Sequence, residues 1–318
     1  VTFYLNGIFL GYMELKSVSM GQNAREQGRG KVAKDYLAAV RAIVEAEQTD
    51  SRVAKEKKQL LAIYEKAIHI TASDINETYV MRNMAQMYDM AHGEFTANLS
   101  TATIDRLVPD VCKVFKAYPV SSPLLTEKQK FEEVARALYS KNAIKNEILY
   151  YNFIEYKYEK KKDGKRVRKS NSGRLISPRP KQKFGCDKIM NRIKEMLDNE
   201  SNPDYYTDKL RRELYALGIP QQKTEEIIAK RERFCNNKFV YSLLMQYAAG
   251  FGKSNIIGWT ALQLKDYRYQ GAYAYDKIML VVDRLQLRDQ LDERMFNMNI
   301  DKSMFVEAVD KETFVKAL

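Results

Sequence analysis

The chain has 318 residues, 45% of them hydrophobic, and a formal net charge of +12. That is enough length and apolar content for two domains. The positive excess favours a polyanionic partner, nucleic acid first, although charge alone fits a generally basic soluble protein equally well. The two histidines and three scattered cysteines, with no C-x-x-C, argue against a zinc site and fit a reducing, cytoplasmic setting. There is no signal peptide, and no apolar run approaches the roughly 18 residues of a membrane-spanning helix, so no membrane partner is expected.

In chain order, Thr2 to Lys16 has hairpin character, with Asn6-Gly7 as the tight turn between apolar runs. The second run, Ile8 to Lys16, is expected as a mostly buried strand. Alternation along it puts Glu14 and Lys16 on one face. A carboxylate that holds a metal beside an ammonium that stabilises charge suits Mg²⁺-dependent phosphodiester cleavage. Taken alone, the three residues favour an ordinary Glu-Lys pair on an edge strand; the Asn-Gly turn before the strand and the motor-like run later in the chain shift the reading to the nuclease site.

Lys31 to Glu65 is expected as two helices. Tyr36, Leu37, Val40, Ile43 and Val44 form the stripe of the first, Thr49-Asp50-Ser51 is the break, and Leu60, Leu61 and Tyr64 belong to the second. Lys55, Lys57 and Lys58 read as a solvated face before a DNA-facing one. Lys66 to Arg82 reads as two strands around Ser73-Asp74-Ile75-Asn76, with His69 packed and Asp74 structural in the turn. Residues 83–130 carry little pattern; Met84, Met87, Met90 and Phe95 default to core, and Tyr118-Pro119 and Ser121-Ser122-Pro123 mark loops. Thr126 to Tyr156 is again helical. Lys157 to Arg174 holds nine Lys/Arg and reads as a loop or ragged hairpin, either a solvated linker or a contact with a DNA backbone. Cys186 to Asn236 is a segment without a functional account, with a loop expected at Asn199 to Asp208.

An apolar run, Phe239 to Met245, leads into Tyr247-Ala-Ala-Gly-Phe-Gly-Lys253-Ser254, and a helical run, Ile256 to Leu264, leads out. Strand, glycine turn, Gly-Lys-Ser and helix is the layout of a phosphate-binding loop. Gly250 and Gly252 allow the tight turn and bring backbone N–H groups toward phosphate oxygens. Lys253 would reach the β- and γ-phosphates of ATP, and the Ser254 hydroxyl would ligate Mg²⁺. Tyr247 stands where the generic loop has its first glycine. Asp276 to Asp283 reads as a buried strand ending in Asp283-Arg284, followed by a helix.

The run Q-Y-A-A-G-F-G-K-S-N-I-I-G-W followed by V-V-D-R-x-x-L-x-x-Q resembles the motor of the restriction (R) subunit of type I restriction-modification enzymes, a superfamily 2 translocase. N-G-x-x-x-x-x-x-E-L-K resembles the second half of that family's PD-(D/E)xK nuclease motif. The resemblance implies Glu14 as the metal-binding carboxylate and Lys16 as the catalytic lysine. Gln27 matches the Gln of the family's Q-x-x-x-Y, whose Tyr is Lys31 here. Asn142 to Phe153 looks like its helical connector. Leu175 to Gln182 resembles its F/I-x-P-R-x-x-Q entry, making Gln182 the adenine contact. In the family the first loop position is commonly His.

The implied fold is α/β. Residues 1–130 would be the C-terminal part of a PD-(D/E)xK nuclease domain, 131–174 a connector and basic linker, and 175–318 the first part of a RecA-like motor with a parallel sheet flanked by helices. The implied activity is ATP-driven translocation of double-stranded DNA with Mg²⁺-dependent cleavage, alongside methylation and specificity subunits. The motif's Asp should precede Asn6, and no Asp stands in residues 1–5. The chain opens at Val1 inside an expected strand and stops at Leu318 soon after the second motif, without an Asp-Glu-x-His/Asp box. It therefore reads as a piece of a longer protein, itself unable to cut DNA. A different superfamily 2 enzyme and a decayed DNA-binding remnant are the alternatives.

Overall fold

A computed structural model describes residues 1–81, 85–160, 166–169, 173–235, 243–298, 300, 306, 308 and 310–317. It is mixed α/β, with twelve α-helices and a five-stranded mixed sheet among those residues. The chain divides into two compact units, Val1–Phe184 with Gln286–Leu318, and Gly185–Leu285.

The first unit begins where Asn6 and Gly7 both take left-handed backbone, φ 49° and 78°. That is the demand of a two-residue hairpin turn, and it joins β1 (Thr2–Leu5) to β2 (Ile8–Leu15) as expected. Strand β2 is only half buried, because its hairpin end stands in solvent. Helices α1 (Arg29–Thr49) and α2 (Ser51–Glu65) follow, entered through a π-helical turn at Ala24–Gly28. Asp50 separates them and accepts the Arg52 and Val53 N–H groups, capping α2. The α1 stripe Tyr36, Leu37, Val40, Ile43 and Val44 is buried. Leu60 is not a core residue; it is 68% exposed, and Leu61 takes the inward position.

Strands β3 (His69–Ser73) and β4 (Thr78–Met81) flank the Asp74 turn. Strand β3 runs parallel to β2 with Glu14 opposite Ala72, and antiparallel to β4. Every residue of β3 is buried, as suits a central strand covered on both faces. The weakly patterned stretch then forms α3 (Ala85–Ala97), α4 (Thr101–Cys112) and the short edge strand β5 (Lys116–Ala117). Helix α1 packs against α2, α3 and α4 and over β2 and β3. Phe95 is buried, and Met87 and Met90 pack on the core cluster, which includes Ile70, Ala72, Tyr79 and Met81. Met84 lies outside the described residues.

The opposite face of the sheet is covered by α5 (Glu127–Tyr139), which starts at a Thr126–Gln129 capping box. Val80 packs there with Tyr118, Val134 and Leu138. His69 is packed on the same side, edge-on to Tyr139, with Nε2 3.6 Å from the buried Glu147 carboxylate. Helix α6 (Lys141–Asn146) continues as a π-turn to Tyr151. The expected helix to Tyr156 stops there, because Phe153–Glu155 forms β6 and pairs with β9 (Arg174–Ile176). Between them β7 (Tyr158–Lys160) and β8 (Arg166–Arg168) make the hairpin form of the basic segment. Its residues 161–165 and 170–172 lie outside the described residues.

Helix α7 (Pro180–Asp198) contains the boundary between Phe184 and Gly185. In the second unit α8 (Pro203–Ala216) and α9 (Gln221–Cys235) follow. The loop expected at Asn199 to Asp208 is confined to its first four positions: Asn202 accepts the Tyr205 N–H and Pro203 opens the helix. Then come α10 (Lys253–Lys265) and the small hairpin β10 (Arg268–Tyr269) and β11 (Ala272–Tyr273).

A second departure concerns the expected parallel sheet. Asp276 to Asp283 is irregular, and Val281 is 82% exposed. A buried parallel strand needs neighbours to satisfy its backbone on both sides. Among the described residues no strand lies alongside this segment. The expected partner run begins in residues 236–242, outside the described residues, and 243–248 are irregular. The helix expected after Arg284 is present as α11 (Leu285–Asn297), and α12 (Lys311–Ala317) closes the chain.

Candidate functional site

Strand pleating brings Tyr12, Glu14 and Lys16 to one face of β2. The Lys16 N–H extends the ladder to the Ser73 carbonyl at 2.9 Å, so Lys16 stays in register with the sheet although the strand formally ends before it. Lys16 Nζ donates to Glu14 Oε1 at 2.8 Å, and both side chains are largely shielded, 15% and 16% exposed. Tyr12 Oη donates to the other carboxylate oxygen. Burial alone would push the Glu14 carboxyl up; hydrogen bonds from Lys16 and Tyr12, with the charges of Lys16 and Lys31, outweigh it and hold the group below its usual value of 4.5. The Tyr12 hydroxyl moves the other way, raised by burial and then by Glu14. Glu14 is thus an anion at neutral pH.

Gly28 stands at the start of α1, where glycine is a poor helix former, and the reason is packing. A Cβ there would lie 3.1 Å from the Ala72 Cβ and 3.4 Å from the Lys16 Cγ. The glycine lets the π-turn sit directly on β3 and on the lysine stem. Asp74 fixes the same turn from the sheet, accepting the Ala24 N–H at 2.6 Å while closing its own turn through Asn76 and Glu77. Gln27 is exposed and accepts the Asn23 N–H at 3.0 Å, which makes it a local brace of the turn. Lys31 acts on Glu14 only through its charge, its ammonium being paired to Asp35 at 2.6 Å.

Chemically, the face offers one carboxylate with a lysine and a tyrosine hydroxyl upon it. Mg²⁺ is commonly held by one or two carboxylates, completed by water and substrate phosphate. Glu14 fits as one such ligand, and binding there would exchange the Lys16 or Tyr12 hydrogen bond for the ion. Among the described residues no group of three or more His, Cys, Asp or Glu gathers into a metal cluster. Tyr12 was not legible as a site residue from motif spacing; its signal was alternation, two positions before Glu14.

The second unit holds the loop. Gly250 and Gly252 take left-handed backbone, φ 72° and 85°, and α10 begins at Lys253. Only glycine takes these angles without strain. In the first turn the Asn255 and Ile256 N–H groups donate to the Gly252 carbonyl at 3.0 and 3.3 Å; the Lys253 and Ser254 amides, like those of any helix start, have no intrahelical acceptor, and such N-termini attract phosphate. Lys253 Nζ folds across the turn and donates to the Tyr247 and Ala248 carbonyls, each at 3.2 Å. Ser254 sits in the first turn of α10, half-buried.

Tyr247 takes up the space of the missing glycine in an ordered way. Its ring stacks on Phe251, centroids 4.5 Å apart, and its hydroxyl abuts Gly185, where a Cβ would collide with it. An apolar cavity of about 410 Å³ opens beside the loop, with Lys253, Tyr247, Ile256 and Thr260 in its wall. Ile278 to Leu280, expected in a strand, line this cavity instead.

Gln182 belongs to the first unit, buried to 5% exposure at the start of α7, where its Oε1 accepts the Arg179 N–H at 2.7 Å. Comparison with protein-family models, curated proteins and solved structures gives no match.

Proposed function

We propose that this chain is part of an ATP-dependent DNA-cleaving translocase of the type I restriction R-subunit kind. The observation that carries it is the loop: two left-handed glycines delivering Lys253 and Ser254 to a helix N-terminus. Supporting it is the Glu14–Lys16 pair at the end of a strand that runs parallel to a buried neighbour.

In this reading the loop amides and Lys253 cradle the phosphates of ATP, with Lys253 exchanging its carbonyl partners for phosphate oxygens. Ser254 would hold the accompanying Mg²⁺. At the sheet, Glu14 would hold a second Mg²⁺, which polarises the phosphodiester and activates water when bound. Lys16 balances the charge that develops on the phosphate, and Tyr12 orients the carboxylate. The basic excess and the β7–β8 hairpin favour double-stranded DNA as partner; methylation and specificity subunits would supply site recognition.

The test is nucleotide binding. Mg-ATP should bind this chain, and Lys253→Ala should weaken it at least about tenfold; equal affinity of the variant would sink the motor assignment. A second reading, a DNA-binding remnant with a decayed motor, is favoured by Tyr247 in the loop and by the irregular Asp276 to Asp283. Absence of any ATP binding, with DNA binding intact, selects it.

A further inference from the structure

The apolar cavity of the second unit has about 410 Å³, within the roughly 300–1,000 Å³ of small-molecule sites. One wall is a single face of α10, carrying Ile256, Ile257, Thr260, Ala261 and Leu264 at helical spacing. Ile278 to Leu280 supply another. Among the described lining residues only Lys253, Tyr247 and Thr260 have polar side chains. The Thr260 hydroxyl donates to Cys186 Sγ at 3.9 Å, and the Tyr247 hydroxyl abuts Gly185. The wall is therefore apolar apart from one ammonium, and that ammonium belongs to the loop.

Tyr247 and Lys253 each serve both features. They bound the glycine turn and they line the cavity, so a group held by Lys253 has the apolar wall beside it. Phe251 covers one face of the Tyr247 ring, centroids 4.5 Å apart, and is not in the cavity wall. The cavity therefore meets the ring away from that stack. A ligand that satisfies both features carries an anionic group for Lys253 and the α10 N-terminus, and a flat body for the aromatic and aliphatic wall.

We propose that this cavity is the base subsite for the nucleoside triphosphate held by the loop, and that it takes purine bases by packing, without discriminating adenine from guanine. The proposal rests on the ATP-binding reading above. The base packs against Tyr247 and the α10 side chains while Lys253 holds phosphate. A site built to hydrogen-bond its ligand rejects an analogue that cannot reciprocate, whereas an apolar wall discriminates weakly. Gln182, the expected adenine contact, belongs to the first unit, and its Oε1 accepts the Arg179 N–H.

The test is calorimetric titration of the chain with ATP, GTP and inorganic tripolyphosphate, each with Mg²⁺. ATP and GTP should bind within about threefold of each other and at least about tenfold tighter than tripolyphosphate. Ala261→Phe fills the cavity from α10 and should cut the ATP-to-tripolyphosphate preference about tenfold, with tripolyphosphate affinity changed less than about twofold. Ile257 is 41% exposed, so Ile257→Ala keeps the fold and decides the matter if Ala261→Phe unfolds. It should lower the same preference about threefold through lost apolar contact. A parent chain that binds ATP no tighter than tripolyphosphate, or a preference that neither variant alters, would overturn the base subsite and leave the loop reading standing. A preference for ATP over GTP beyond about tenfold would overturn recognition by packing. Binding of neither ATP nor tripolyphosphate would overturn both readings.

Discussion

The two candidate sites are built in opposite ways. Glu14 and Lys16 are held by tertiary structure: a register with β3, a glycine contact from the π-turn, and an Asp74 latch from the neighbouring turn. The Gly250–Ser254 loop is held mostly by its own backbone, through two left-handed glycines, a lysine folded onto the loop carbonyls and a helix that starts at once. A site of the first kind fails when a distant core contact fails. A site of the second kind keeps its form beside an irregular Asp276 to Asp283.

The largest test of this contrast is Leu37→Ala. Leu37 is fully buried under the sheet, and its truncation should cost about 2–5 kcal/mol, read by urea unfolding. Nuclease-side DNA binding should fall with it, while Mg-ATP binding survives. Parallel loss of both would show that the units fold as one and break the contrast. Next, Gly185→Ala should cost about 1–3 kcal/mol in the second unit through collision with Tyr247. Pairing it with Tyr247→Phe should recover part of that loss, since the colliding hydroxyl is gone while the stack on Phe251 remains. No recovery would mean the Tyr247 hydroxyl is not what Gly185 accommodates. Asp50→Ala should cost about 1 kcal/mol through the lost cap of α2, without effect on ATP affinity.

The smallest effect is in pH. Glu14 has a folded-state pKa below the ordinary 4.5, so its contribution is present above that value and is lost as pH falls through the lowered one. Glu65 is opposite: burial, despite the Tyr36 hydrogen bond, raises its pKa. Its contribution is present at low pH and fades as pH rises through the raised value. Glu14→Gln should flatten the acid limb of the stability profile, and Glu65→Gln the limb just above pH 4.5. Identical profiles in both variants would show that neither carboxyl is coupled to folding.

Much of the local structure was legible in the residues. Asn6-Gly7 could form little but a tight turn, the Tyr36 to Val44 stripe had one burial solution, and Gly250, Gly252 and Lys253 spelled their own conformation. What escaped was whatever depended on a neighbour far along the chain. Helices α3 and α4 carry weak patterns and owe their placement to α1. Gly28 is explained only by Ala72 and Lys16 beside it, and Gly185 only by Tyr247.

The sequence by itself determined the turns, the helix starts and the spacing that puts Glu14 and Lys16 on one strand face, because these follow from backbone sterics and side-chain periodicity within a few residues. Only the tertiary structure decided that Tyr12 joins the pair, that Asp74 latches the π-turn and that Val281 stays exposed. Those outcomes rest on which strands and helices meet, and hydrogen-bonding and burial between distant segments are not encoded in any one segment's pattern.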